Sequence, residues 1–262
     1  MAEPIIQIRN LTTSYGKRQV LKGIDLDIFP YETLVILGRS GCGKSTLLRH
    51  IVGLNKPDNG EIIVKGVDIT KAEEDERNDL LRRMGMLFQN GALFNSMTVG
   101  ENVALPLMEH TPQDKSIIRI MMRMKLNIVG LSGFEDFMPS QLSGGMKKRA
   151  AMARALAMDP DILFCDEPSA GLDPIVAVGI DQLILKLKTA LKMTIVVVTH
   201  EMASVFMIAD RICLLHDGDI KFLGSQEEMK KSTDPYVVQF LERRADEDHL
   251  DPQNYLDELF AD

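Results

Sequence analysis

The sequence has no tryptophan, only 5% aromatic residues and three cysteines, Cys42, Cys165 and Cys213, none in a CxxC spacing. Cysteines so few and so far apart provide neither a disulfide framework nor a zinc-ligand cluster, and they suit reduced thiols in a cytosolic protein. Long hydrophobic runs are missing as well. Stretches such as IVVV at 195–198 fall far short of the ~20 apolar residues that span a bilayer. MAEPIIQIRN opens in strand-like alternation, not in the charged-then-apolar pattern of a secretory segment. Positive charge is not in excess either: the net charge is −8. An acidic chain without a basic domain is a poor general binder of nucleic acid, so no nucleic-acid partner is expected. Internal repeats and low-complexity runs are also absent.

What is present is an ordinary globular composition, 45% apolar and 26% charged over 262 residues, enough for one large or two small domains. PIIQIRNLTTSYG (4–16) and QVLKGIDLDIF (19–29) alternate as antiparallel strands do. ETLVILG (32–38) is a buried-strand run leading into a helical KSTLLRHIVGL (44–54). Strands are predicted again at 61–66 and 84–89, and residues from about 90 to 158 read as a separate helical lobe. DILFCD (161–166) and TIVVVTH (194–200) resume as buried strands around a helix near 175–191. Apolar strands alternating with helices predict a parallel α/β sheet. From residue 201 onward, two short strands and further helices read as a C-terminal extension.

GRSGCGKS at 38–45 satisfies G-x-x-x-x-G-K-[ST] directly after a strand and before a helix. Such a loop wraps a β-phosphate with backbone amides and adds the positive end of a helix dipole. Gly38, Arg39, Ser40, Gly41, Cys42 and Gly43 would form the cradle. Lys44 would reach the β- and γ-phosphates, Ser45 would offer a hydroxyl to Mg²⁺, and Thr46 would meet the α-phosphate. The chain is therefore expected to bind a nucleoside triphosphate. Tyr15, in a turn upstream, is an aromatic placed to stack on the base.

Asp166 and Glu167 end an apolar strand before Pro168. Ligands of open parallel sheets sit at the carboxyl ends of strands. Asp166 is thus expected at Mg²⁺ and Glu167 as the base for an attacking water. His200 and Gln89 each end a neighbouring strand, the first within reach of a γ-phosphate and the second toward Mg²⁺ or the water.

A second anion socket is suggested by LSGGMKKRAAMARAL from Leu142. Gly144 and Gly145 open the helix, and Lys147, Lys148 and Arg149 add charge where the dipole is already positive. The loop at 38–45, Gln89, LSGG at 142–145, DE at 166–167, SAGLD at 169–173 and His200 together resemble the nucleotide-binding subunits of ATP-binding-cassette (ABC) systems. The resemblance covers about residues 5–225. It implies an α/β P-loop NTPase fold with an antiparallel β-subdomain, a parallel-sheet core and an inserted helical lobe. It also implies a head-to-tail homodimer with ATP and Mg²⁺ held between subunits. Ser143, Gly144 and Gly145 would then face the partner's ATP, and Asp173 would couple the two sites. Met146 stands where the commonest signature has glutamine and cannot donate to nucleotide.

FQNGALF (88–94), MPSQLSGGMKKR (138–149), DEPSAGLDPI (166–175) and DPYVVQFLERRAD (234–246) narrow the resemblance to the ATPase subunits of Mce-type lipid transporters. That branch implies integral-membrane permease subunits, a lipid-carrying Mce-domain protein, and a place on the cytoplasmic face of the inner membrane. Ala92, Leu93, Phe94, Val99 and Leu105 could line a groove for a short permease helix, or simply form the core of the helical lobe. Met121, Met122 and Met124 are assigned to packing. The alternatives are an importer ATPase for small solutes and a non-transport ABC ATPase. The latter typically carries a coiled coil, a zinc hook or a second cassette, none of which is seen here.

The reading divides the chain into an ATPase domain at 1–225 and a helical, acidic extension at 226–262. Residues 242–262 hold eight acids against Arg243 and Arg244, which leaves −6 there and −2 for the rest. Tyr255, Leu256, Leu259 and Phe260 add an apolar face at helical spacing. This segment reads either as a solvated tail or as a dock for the other protomer or a small regulatory subunit. Docking predicts that removing 247–262 weakens dimer formation or partner capture, read by sedimentation and pull-down. Unchanged association and ATPase activity would rule it out.

Overall fold

Residues 3–244 are described by the computed structural model; the acidic segment 247–262, with its predicted docking face, lies outside them. Alternating aliphatics start the fold. In β1 (Ile6–Tyr15), Ile6 and Ile8 face inward, and after a bulge Leu11 and Thr13 do so instead. The bulge puts Asn10 at φ 47 and shifts the inward face from even to odd positions. β1 pairs antiparallel with β2 (Arg18–Ile28), as the alternation predicted.

β3 (Thr33–Gly38) is buried along its whole length and delivers the chain to α1 (Lys44–Ile51). β4 (Asn59–Val64) and β5 (Val67–Asp68) extend the antiparallel sheet to the order β2-β1-β4-β5. After α2 (Glu74–Leu81), β6 (Met84–Leu87) returns to the central sheet. The helical lobe carries α3 (Val99–His110) and α4 (Lys115–Ile128), followed by a 3-10 turn at Pro139–Gln141 and α5 (Gly144–Ala155). Then come β7 (Ile162–Asp166), α6 (Pro174–Leu191), β8 (Thr194–Thr199) and α7 (Met202–Ile208). β9 (Arg211–His216), β10 (Asp219–Gly224), α8 (Gln226–Lys230) and α9 (Pro235–Glu242) close the described chain.

The central sheet has the order β10-β9-β3-β8-β7-β6. Every pairing from β9 to β6 is parallel, and β10 is an antiparallel edge. This corrects the reading of residues beyond 201 as an extension, because β9 hydrogen-bonds along β3 inside the core sheet. Val35 and Leu37 of β3, Leu163 and Cys165 of β7, and Ile195 and Val197 of β8 face one core with the helices. Leu34 and Ile36, Ile162 and Phe164, and Val196 and Val198 face the other, against α1 and the antiparallel sheet. A strand buried on both faces must be apolar throughout, which is why these segments lack alternation. Each such side chain contributes roughly 1.5–3 kcal/mol by leaving water. No helix among the described residues is long and apolar enough to cross a membrane.

β6 and α5 touch through a glycine. A Cβ added to Gly85 would lie 2.5 Å from the Ala155 carbonyl oxygen. Glycine inside a strand commonly marks such a close backbone approach. Gly85→Ala is expected to cost about 1–3 kcal/mol by pushing β6 from α5, measurable as a lowered urea midpoint.

Candidate functional site

Four adjacent parallel strands end on one edge of the central sheet, in the spatial order β3, β8, β7, β6. β3 ends at Gly38, β8 at Thr199 just before His200, and β7 at Asp166 just before Glu167. β6 ends at Leu87, so Gln89 sits in the turn beyond the strand and is not its last residue. A cavity of about 720 Å³ lies over this edge. Tyr15, Gly38, Arg39, Ser40, Gly41, Gly43, Lys44, Ser45, Thr46, Gln89, Glu167 and His200 line it. Cys42 does not: its side chain is 6% exposed and belongs to the core below the loop.

The loop takes its shape from glycines at positive φ, Gly38 at 154, Gly41 at 78 and Gly43 at 109. Lys44 donates to the carbonyls of Gly38 (2.8 Å) and Arg39 (2.9 Å), which holds its ammonium over the loop. Ser45 Oγ donates to Asp166 Oδ1 at 3.3 Å, joining the start of α1 to the end of β7. Burial raises the pKa of Asp166 from its ordinary value, and the neighbouring Glu167 adds to the rise. The Ser45 hydroxyl, Arg49 and Lys44 oppose it.

Glu167 occupies φ 48, a conformation that costs a non-glycine residue of order 1–3 kcal/mol. Its backbone N–H donates to Val198 O at 2.8 Å, and its carbonyl accepts from buried Lys148 Nζ at 3.0 Å. The side chain is also held: His200 Nδ1 lies 2.8 Å from Oε1, and the Thr199 hydroxyl donates to Oε2 at 3.3 Å. A carboxylate only accepts, so Nδ1 carries the proton in this contact. The arrangement presents a fixed carboxylate, backed by an imidazole, to whatever occupies the cavity.

The second socket differs from its sequence reading. Ser143 caps α5, accepting from Met146 N–H at 3.3 Å. Of the three cations, only Lys147 is exposed. Lys148 turns inward to the Gln89 and Glu167 carbonyls, and burial lowers its pKa. Arg149 donates to Val129 O and Gly179 O. Backbone carbonyls outcompete solvent for these two, so neither adds charge to an exposed anion site. Gly145 is buried, and a Cβ there would meet Val176 Cγ1 at 2.4 Å. Its glycine is thus required by packing on α6. Ser143, Gly144 and Asp173 are exposed and do not line their own chain's cavity. Asp173 caps α6 through Ile175 and Val176 N–H, and Ile175 beside it is 85% exposed.

Arg18, Val20 and Phe240 also line the cavity and were not read from the sequence. Arg18 pairs with Tyr15 across the β1–β2 hairpin, a register that the turn could have revealed. Phe240 arrives from α9 and carries no local signal. Thr199, which donates to Glu167 Oε2, ends β8 beside His200.

Residues 21–170 match the family model described as ABC transporter. The chain belongs to the ABC transporter family. It is an ATP-binding, ATP-hydrolysing cassette. The chain is 41% identical over 99% of its length to a *Haemophilus influenzae* protein, the whole of which is covered, named intermembrane phospholipid transport system ATP-binding protein MlaF. The protein of that name from *Escherichia coli* K12 is 42% identical over 92% of this chain and 90% of its own. A probable ribonucleotide transport ATP-binding protein of *Mycobacterium leprae* is 40% identical over 91% of this chain and 69% of its own. Among solved structures, the dimeric post-hydrolysis ABC cassette MJ0796 bound to ADP and Pi has a TM-score of 0.77 at 34% identity, covering 84% of this chain and 98% of that one. The cassette cbiO1 of *Clostridium perfringens* reaches 0.81 at 28% identity over 98% and 99%.

In this ABC cassette Gly43 is both left-handed and enclosed, since an added Cβ would lie 2.9 Å from Leu21 Cδ2. Gly43→Ala is expected to cost about 1–3 kcal/mol and to weaken ATP binding, checked by thermal melting and nucleotide titration.

Proposed function

We propose that this chain is the ATPase subunit of an Mce-type transporter that moves phospholipid or a related apolar lipid. The observation that carries the reading is full-length similarity to proteins named for intermembrane phospholipid transport, joined to an ATP cavity with a pinned carboxylate. Glu167 accepts the proton of the attacking water as its oxygen bonds to the γ-phosphorus and the bond to ADP breaks. His200 holds the carboxylate and meets the γ-phosphate. Gln89 orients the water, Tyr15 stacks on the base, and the loop from Gly38 to Thr46 cradles the phosphates.

A hard cation suits the donors present, because Ser45 Oγ and Asp166 Oδ1 are 3.3 Å apart and Gln89 adds an amide oxygen on the same cavity. Mg²⁺ held there with the nucleotide would neutralise phosphate charge.

Two chains pack head to tail in this reading. The exposed starts of α5 and α6 lie side by side, with a Gly144 Cβ position 3.2 Å from Leu172 Cδ2. Ser143, Gly144 and the backbone amide of Gly145 meet the partner's ATP there, the Cα side of Gly145 being packed on α6, and Asp173 couples the sites. A groove of about 630 Å³ lined by Phe88, Phe94, Leu105, Pro106 and Met158 would take a short helix of the permease. Arg154 supports its wall by donating to Gly91 O and Ala92 O, just beyond Gln89. Such a helix would therefore sense the ATP site. The subunit would sit on the cytoplasmic face of the inner membrane with its permease and an Mce-domain protein.

Glu167→Gln keeps the shape and removes the base. Turnover is expected to fall about 10²–10⁴-fold with ATP binding and the ATP-bound dimer retained. Parent-rate hydrolysis would remove Glu167 from its role. The trapped variant, tagged and recovered from detergent-solubilised membranes, is expected to bring a multi-span permease and an Mce-domain protein. A permease without an Mce partner would favour a small-solute importer, and soluble partners alone a non-transport ATPase.

A further inference from the structure

Lys148 is a cation on the helix that begins at Ser143, yet its ammonium lies on its own chain's catalytic edge. The residue is only 6% exposed. It donates to two backbone carbonyls, Gln89 O and Glu167 O, the latter at 3.0 Å. These belong to the two residues assigned to the attacking water, and they lie on different strands' loops.

The surrounding contacts give that bond a mechanical meaning. α5 and the segment after Gln89 form one packed unit. Gly91 fits against Ala151 (3.3 Å from an added Cβ), and Arg154 donates to Gly91 O and Ala92 O. Ala150, Ala151 and Ala153 are buried, so small side chains seat the helix tightly. Lys148 joins this unit to Glu167, whose φ of 48 is a conformation that neighbours must hold in place. The Glu167 peptide is gripped from both sides, its N–H by Val198 O and its carbonyl by Lys148. Only about 7.5 Å of helix rise separates Ser143 from Lys148.

We propose that Lys148 is a positioning residue that transmits seating of the partner's ATP on the start of α5 to Gln89 and Glu167 of its own site. Resting on the ATPase reading above, this inference assigns to α5 a second role. Its first residues bind the partner's nucleotide, and one and a half turns later it sets the backbone behind the base. Each chain thereby aligns its own catalytic carboxylate when its helix start is engaged across the dimer.

The test compares Lys148→Met, which keeps bulk and removes the donors, with Lys148→Gln, which keeps an amide donor. ATPase rates are normalised to the fraction of each protein that binds a fluorescent ATP analogue, so partial misfolding is separated from slowed chemistry. Lys148→Met should lower kcat about tenfold to hundredfold, as expected when buried carbonyls lose their donor at a reacting site. KM for ATP should stay within about twofold, and the ATP-dependent dimer should persist. Lys148→Gln should recover at least about threefold of the lost rate.

An unchanged kcat in Lys148→Met would overturn the proposal. So would loss of the ATP-dependent dimer in step with kcat, which would make Lys148 a mere support for the α5 start, and so would a glutamine variant no better than methionine. If Lys148→Met does not fold, Lys148→Ala, which also removes the donors, takes its place: a reduced kcat at unchanged KM sustains the role, and full kcat ends it. Absence of ATPase activity in the unaltered chain would instead fail the ATPase reading, and this inference with it.

Discussion

Everything chemical in this molecule depends on the parallel hydrogen-bond ladder that runs β3–β8–β7–β6. A parallel ladder points all its strands one way, so their carboxyl ends share an edge. That edge receives the phosphate loop, His200, the Asp166–Glu167 pair and Gln89 from positions spread over more than half the chain. The ladder is made rigid by two apolar cores, one on each face, and all residues of β3, β7 and β8 are buried. Side chains at the edge can then be held by second contacts instead of by their own rotamer preferences.

Glu167 shows how far this goes. A left-handed backbone in a glutamate is unfavourable by itself, and here four partners hold the residue: Val198 O, Lys148, His200 and Thr199. Strain of this kind persists where the surroundings over-determine it, and it turns the carboxylate toward the cavity. In the proposed role of Glu167 as base, a carboxylate fixed before nucleotide arrives would lower the reorganisation needed during reaction.

The two ends of the signature segment illustrate division of labour within one helix. Ser143 and Gly144 remain exposed, while Gly145, Lys148 and Arg149 serve packing and internal hydrogen bonds. A composition that looked uniformly suited to an anion is thus split by helical geometry. Residues 143, 144 and 147 face out, and residues 145 and 148 face in.

The motif residues were legible because their chemistry is local. A glycine-rich loop followed by Lys44 and Ser45 specifies phosphate from covalent spacing alone, and a buried apolar run specifies a central strand. The family order of motifs added the fold. What could not be read depended on atoms distant in sequence. β9 entered the core sheet beside β3, Phe240 reached the cavity over the strand ends from α9, and Lys148 turned from a socket to two carbonyls. Each outcome is a competition between a residue's local preference and a partner supplied only by the folded chain. Sequence determined which groups could bind and hydrolyse a nucleotide. Tertiary structure decided which of them face it, because burial makes unpaired polar groups costly and so dictates where every inward-facing donor must end.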